Sequence, residues 1–212
     1  MEKHQRHHHE HKTKLVVYLT AITMGVEIAF GYYTKSMALL ADGFHMASHA
    51  LALGLSWVAY YYARRHSENK NFKSGTGKIL ALSGYTSAII LLLIAILMAY
   101  ESTQRLIHPL EIKFSEAIFV AVIGLIVNII SAYILHHEEE HSDHNIKSAY
   151  LHVLADALTS VTAIVALTLG MYWNNYSLDA VSGIISSVVI TKWAIDLAKN
   201  SGKELLDFST KN

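Results

Sequence analysis

Cysteine is absent from the 212-residue sequence, and proline occurs only once. These absences exclude disulfide-stapled domains, cysteine-based zinc modules, collagen-like chains and proline-rich disordered segments. Charge is also scarce, since Asp, Glu, Lys and Arg make up 16% of the residues, against roughly 25% in soluble domains. The 17 basic and 17 acidic side chains cancel, so nothing in the charge balance indicates nucleic-acid binding.

Apolar residues are abundant instead, at 52% of the chain. A bilayer-spanning helix needs about 20 predominantly apolar residues. Six stretches have this character: residues 15–33, 37–63, 79–100, 114–135, 149–173 and 178–198. We therefore expect an all-α membrane protein. Its six-helix transmembrane domain, residues 15–198, lies between a His-rich tail at 1–14 and a short tail at 199–212.

The basic residues outside these stretches predict the orientation. Thirteen Lys and Arg fall in the two tails and the second and fourth loops, and three fall in the other loops. Basic residues concentrate on the cytoplasmic side of membrane proteins. The sequence thus predicts a multi-pass protein of the cell's inner membrane, with both termini in the cytoplasm.

Histidine is unusually common, with 14 residues, and imidazole is the commonest metal ligand. Several histidines lie in the N-terminal tail, where they are interleaved with other polar residues, unlike most engineered tags. Another group lies in the predicted cytoplasmic loop 136–148: His136, His137, His141 and His144. This loop is interpreted as a weak metal-capture segment, and the alternative is a solvated polar loop.

Ionisable residues inside the apolar stretches are the strongest functional signal, because burying them in a membrane costs several kcal/mol. Asp42, His45 and His49 are spaced to share one face of the second helix. His152 and Asp156 lie one turn apart in the fifth. Two helices thus each present a pair of potential ligands.

Together, His45, His49, His152 and Asp156 supply three nitrogens and one oxygen. This set suits tetrahedral Zn²⁺ or Co²⁺ and is too rich in nitrogen for Mg²⁺ or Ca²⁺. The alternative is that each histidine only bonds a neighbouring helix. We expect transported metal rather than a resident cofactor.

Other buried polar residues are weaker candidates. Glu27 in the first span is interpreted as a proton acceptor or as a helix-packing partner. Asp42 is a candidate acceptor for the second N–H of His45, since ligating imidazoles usually donate to a carboxylate or carbonyl. Asn128 and Asp179 are interpreted as packing or interfacial contacts.

The chain resembles the cation diffusion facilitator family. The matching segments are SMALLADGFH at residues 36–45 and HVLADALTS at residues 152–160. The six spans, Glu27 and the His-rich loop between the fourth and fifth spans also fit this family. The resemblance covers nearly the whole chain.

The resemblance implies a homodimeric exporter that exchanges cytoplasmic divalent metal for protons, with His45, His49, His152 and Asp156 as its transport site. Zinc-transporting members usually have Asp at the position of His49. The His-x-x-x-His pattern here, with the GTGK segment at 75–78, is more similar to the branch associated with cobalt and broad divalent export. Its expected cargo is Zn²⁺ or Co²⁺, with Ni²⁺, Fe²⁺ and Cd²⁺ as further candidates. Most members continue after the sixth span into a soluble domain, so the chain is expected to be a naturally short member or a cut one.

Three other functional classes are compatible with a polar site in a membrane. An intramembrane metalloenzyme would hold activated water in place of one ligand, but no His-Glu-x-x-His motif occurs, and we expect no enzyme. A non-transporting metal sensor or partner subunit is the main alternative, although it would not need four ligands. A channel is disfavoured because tight ligation slows release. Whether His66 and Glu68 form a second metal site stays open.

Overall fold

Six long helices form the protein in the computed structural model, which describes residues 2–66, 77–139 and 144–208. They are α1 (Glu2–Thr34), α2 (Met37–Arg65), α3 (Gly77–Ile107), α4 (Phe114–Glu139), α5 (His144–Tyr172) and α6 (Ser177–Leu205). No strand occurs in these described ranges. The predicted all-α fold is confirmed.

Five of the helices are long and apolar enough to cross a bilayer, among the residues the structure describes: Leu15–Thr34, Lys78–Ile107, Phe114–Ile134, Val153–Tyr172 and Ser177–Leu205. The second helix, α2, has 29 residues, or about 43 Å at 1.5 Å per residue. Its length is sufficient for a span, and it carries the polar residues Asp42, His45 and Ser48.

Helix ends follow local chemistry. The only proline, Pro109, comes two residues after α3 ends at Ile107, because a proline ring disfavours helix in the residue before it. Lys35 and Asn174 have positive φ angles of 60° and 48° just after α1 and α5. In each case the next N–H donates back to the helix, to the Gly31 and Gly170 carbonyls. This left-handed cap is a common helix terminator.

Three short connections meet at one end of the bundle, which we call the short-loop end: residues 35–36, 108–113 and 173–176. The Lys113 N–H donates to the Thr34 carbonyl, and an Arg105 nitrogen donates to the Lys35 carbonyl. The Phe114 and Tyr176 rings stack 5.5 Å apart. Consecutive helices therefore run in alternating directions. At the opposite end, Lys78 Nζ lies 2.7 Å from Asp207 Oδ2.

The start of α2 is fastened to the start of α6. Ser36 Oγ donates to Asp179 Oδ1 over 2.7 Å and accepts from the Leu39 N–H. The Met37 and Ala38 N–H groups also donate to the Asp179 carboxylate, over 2.6 and 3.0 Å. A buried carboxylate from α6 thus caps α2, since first-turn amides lack partners in their own helix.

Packing divides the bundle into groups of helices. The most extensive helix–helix interfaces are those of α3 with α6 and of α4 with α5, and α1 packs against both α2 and α4. Small residues allow the close approaches. At Gly43, a Cβ would lie 2.7 Å from Ile28 Cγ1 and 3.0 Å from its backbone nitrogen. This contact holds α1 against α2 beside the polar residues described next.

Candidate metal site

Buried polar side chains collect in the middle of the bundle, between α1, α2, α4 and α5. Three of them are acids, which is unusual for an apolar interior, and the full set is Glu27, Asp42, His45, Asn128, Asp156 and Ser160. Ionisable groups at this depth are costly unless they are paired or bind an ion. Their arrangement therefore bears directly on function.

His45 and Asp156 approach each other across the interface of α2 and α5. His45 Nε2 lies 3.5 Å from Asp156 Oδ1, and both side chains are buried. On its ring face, His45 contacts Trp193 of α6, with ring centroids 4.9 Å apart. One residue from each predicted ligand pair is thus brought together, and an aromatic ring limits how the imidazole can turn.

The carboxylate of Asp42 is held by α5. Thr159 Oγ1 donates to Asp42 Oδ1 over 2.7 Å, while Asp42 Oδ2 is buried without a hydrogen-bond partner among the described residues. Ser160, the next residue, accepts a 3.4 Å hydrogen bond from Asn128 Nδ2 of α4. The predicted role of Asp42 as acceptor for the His45 N–H stays a prediction.

The other two predicted ligands are placed only by their backbones. His49 lies in α2 and His152 in α5, but their side chains lie outside the described part of the structure. Among the residues that are described, no group of three or more His, Cys, Asp or Glu is close enough to hold a metal ion. The four-ligand site therefore stays a prediction.

The predicted capture loop is partly helical, since α4 continues to Glu139 and α5 begins at His144. Position 141 falls outside the described ranges, as do the side chains of His136, His137 and His144. Glu68 of the possible second site is also outside them. His66 caps α2, with its Nδ1 3.0 Å from the Tyr62 carbonyl oxygen.

A cavity of about 210 Å³ adjoins the site between α2, α5 and α6. Asp42, His45 and Thr159 line it, together with the hydroxyl-bearing Ser182 and Ser186 of α6. Because α6 starts at the short-loop end, these serines place the cavity on that side of the bundle. The sequence analysis did not predict that α6 takes part in the site.

Sequence reasoning also missed the supporting residues Thr159, Trp193 and Ser160. Thr159 and Ser160 follow Asp156 by three and four residues, which places them on its helix face, so spacing alone could have suggested them. Trp193 lies on another helix, and no local pattern connects it to His45.

Comparisons with known proteins show the family to which the chain is related. A family model described as the cation efflux transmembrane domain matches residues 13–206. The chain is 34% identical over 208 residues to the zinc transporter ZitB of Pectobacterium atrosepticum, covering 95% of this chain and 65% of that protein. It is 32% identical over 202 residues to ZitB of Escherichia coli, covering 93% and 64%.

A third relative bears a different name. The cadmium, cobalt and zinc/H(+)-K(+) antiporter of Bacillus subtilis is 29% identical over 213 residues, covering 99% of this chain and 68% of that protein. The chain thus spans about two thirds of the length of the curated relatives it matches.

Proposed function

We propose, since the chain belongs to the cation efflux family, that it exports divalent transition metals from the cytoplasm in exchange for protons. The metal would bind His45, His49, His152 and Asp156 in a tetrahedral site within the membrane. The supporting observation is the 3.5 Å approach of His45 Nε2 to Asp156 Oδ1 between α2 and α5. One ion can bridge two ligands that already face each other at this range.

Helix geometry extends this pair to four ligands. Because α2 and α5 run in opposite directions, one turn onward from His45 and one turn back from Asp156 lead to the same level of the bundle. Those steps end at His49 and His152. Three neutral imidazoles and one carboxylate would leave the loaded site with a net charge of about +1 (+2 − 1), which is less costly to bury than +2.

Proton coupling follows from the ligands. Imidazole titrates near pH 6.5, so protons and metal compete for the same nitrogen lone pairs. Affinity for metal falls as pH falls. A more acidic outer compartment would therefore favour release there, and a neutral cytoplasm would favour loading.

The cavity between α2, α5 and α6 is the proposed release route. It reaches His45 from the short-loop end, and the hydroxyls of Ser182 and Ser186 can replace part of the water shell of a leaving ion. This end would face outward. The tails 1–14 and 199–212 and the loop 136–148 would then be cytoplasmic, with the loop histidines as a weak metal store beside the entrance.

Cargo and assembly are part of the same proposal. Zn²⁺ and Co²⁺ are the first metals to test, because the relatives are named for zinc or for cadmium, cobalt and zinc. The protein would work in the cell's inner membrane as a homodimer, as the family resemblance implies. Its role is transport and not catalysis.

The test is metal uptake into proteoliposomes under an imposed pH gradient. Zn²⁺, Co²⁺, Ni²⁺ and Mn²⁺ are compared in the unmodified chain, in His45→Ala and in His152→Ala. His108→Ala is the matched control, since His108 is an exposed residue of a short loop. We expect uptake of Zn²⁺ or Co²⁺ to be lost in the two site variants and unchanged in the control.

Two results would contradict the proposal. If uptake continues at the same rate after the pH gradient is dissipated, the proposal of proton exchange is wrong. If His152→Ala transports as well as His108→Ala, the site is wrong. Metal binding without uptake in any condition would instead favour a sensor or a partner subunit.

A further inference from the structure

A row of polar residues runs between α1 and α4, on the side of the bundle away from the cavity. On each helix the spacing places them on a single face. The α1 residues are Thr20, Thr23 and Glu27, and the α4 residues are Gly124, Asn128 and Ser131. We call this row the α1–α4 seam.

The two faces meet directly. A Cβ at Gly124 would collide with Glu27 Oε1 and would lie 3.5 Å from Thr23 Cγ2. Because α1 and α4 run in opposite directions, the steps from Glu27 to Thr20 and from Gly124 to Ser131 both lead away from the short-loop end. The seam therefore extends from the level of Glu27 toward the end with the chain termini.

Five buried polar atoms of the seam have no hydrogen-bond partner among the described residues. Both carboxylate oxygens of Glu27, Asn128 Oδ1, Ser131 Oγ and Thr20 Oγ1 are buried without a hydrogen bond within the described part of the chain. Each such atom costs about 1–3 kcal/mol when left unsatisfied. One is unremarkable, but a row of them forms a line of groups that could each exchange hydrogen bonds with water.

The seam ends at an apolar contact. Val16 of α1 and Val153 of α5 are buried together, with Ala132 and Ile134 of α4 packed against them. These residues lie beyond Thr20 and Ser131 in the direction of the termini. They separate the polar row from that end of the bundle and would have to part for an ion or proton to pass.

Glu27 lies next to the metal site without sharing its helices. A Cβ at Gly43, the residue after Asp42 in α2, would lie 3.3 Å from Glu27 Cβ. The acidic groups that interact with Glu27 are Asp42 and Asp156, and its α4 neighbours Gly124 and Asn128 are uncharged. A carboxylate at Glu27 adds negative charge near the site and strengthens its attraction for a divalent cation. Protonation removes that charge and weakens the attraction.

We propose that the α1–α4 seam is the proton route of the exporter, and that Glu27 is its proton-carrying residue. This rests on the proton exchange proposed above and adds a path separate from that of the metal. In the outward state a hydronium ion from the outer compartment gives its proton to a Glu27 carboxyl oxygen, so that one O–H bond breaks as the other forms, and metal leaves through the α2–α5–α6 cavity. When the apolar contact opens, that bond breaks, and the proton passes along seam water to the cytoplasm.

The decisive experiment records zinc and protons together. The full chain is reconstituted in proteoliposomes that contain a zinc-sensitive dye and a pH-sensitive dye. In Glu27→Gln we expect zinc binding to weaken without being lost and downhill zinc flux to persist, whereas zinc-driven proton movement and uphill transport by a pH gradient are lost. Glu111→Gln, at an exposed carboxyl, is the control and keeps both.

Two further substitutions test the seam itself. Ala at Gly124 presses a methyl group on the Glu27 carboxyl, whereas Ala at Gly25 meets nothing within 4 Å. We expect Gly124→Ala to lose coupling and Gly25→Ala to keep it. Ser131→Ala and Thr20→Val remove one hydroxyl each, and we expect them to slow proton movement with zinc binding unchanged, which keeps the test valid if Gly124→Ala fails to fold.

The outcomes separate the two proposals. If the unmodified chain and Glu27→Gln couple zinc to protons equally, the seam proposal is overturned while proton exchange stands. If Glu27→Gln abolishes zinc binding, Glu27 belongs to the metal site or to the packing of α1, and the seam proposal is overturned. If the unmodified chain moves zinc with no protons, both proposals fail.

Discussion

Replacing Asp179 should lower the free energy of unfolding more than replacing any exposed acid of the same helix. Its carboxylate accepts hydrogen bonds from Ser36 Oγ and from the N–H groups of Met37 and Ala38. Asp179→Ala leaves two buried amides without an acceptor, at about 1–3 kcal/mol each. We therefore expect the free energy of unfolding to fall by about 2–6 kcal/mol, a decrease in melting temperature of roughly 5–20 °C.

The melting temperature of Asp179→Asn should fall between those of the unmodified chain and Asp179→Ala. The amide oxygen of Asn can still accept a hydrogen bond, but its NH₂ group also faces the N–H groups of α2. Asp196→Ala on the exposed side of α6 is the matched control, with an expected change within about 0.5 kcal/mol. Thermal unfolding of the detergent-purified chain measures all three variants. Equal melting temperatures for Asp179→Ala and Asp196→Ala would refute the capping argument.

The remaining predictions concern the site and its surroundings. Gly43→Ala should destabilise the α1–α2 contact by about 1–3 kcal/mol, because its Cβ would lie 2.7 Å from Ile28 Cγ1, and an unchanged melting temperature relative to Gly25→Ala would contradict this. Thr159→Val removes the donor to Asp42 Oδ1, so calorimetry should show weaker zinc binding with folding retained, and equal affinity would count against Asp42 supporting the site. Zinc affinity should fall steadily from pH 7.5 to 5.5, since imidazole protonates near pH 6.5, and a flat titration would exclude histidine ligands. Lys78→Met breaks the partly exposed contact with Asp207 and should cost less than about 1 kcal/mol, which the same unfolding assay measures.

The sequence was sufficient to predict the helices, because a membrane imposes long apolar runs that composition alone reveals. It did not predict where they end. The fourth span was expected to end at residue 135, yet α4 continues to Glu139, since hydropathy marks the buried part of a helix and polar residues can extend it into water.

The site was only partly accessible to sequence reasoning. His45 and Asp156 belong to local one-turn patterns on single helices, and the structure brings them together. Asp179 was interpreted as a packing or interfacial contact, whereas it caps a helix whose first residues lie more than 140 positions earlier. The contact between Trp193 and His45 also joins residues that are far apart in the sequence. Local spacing does not predict it, because the direction of a side chain across a bundle depends on tertiary packing.

The Asp179 cap has a mechanical consequence. It fastens the start of α2 to α6, and α6 in turn packs along α3, while α4 packs along α5. His45 therefore lies on a helix that is tied to α6, and Asp156 lies on a helix that packs along α4. A metal ion held by both side chains, as proposed above, would act as a reversible crosslink between α2 and α5, so that loading would hold the two helices together and release would free them to separate.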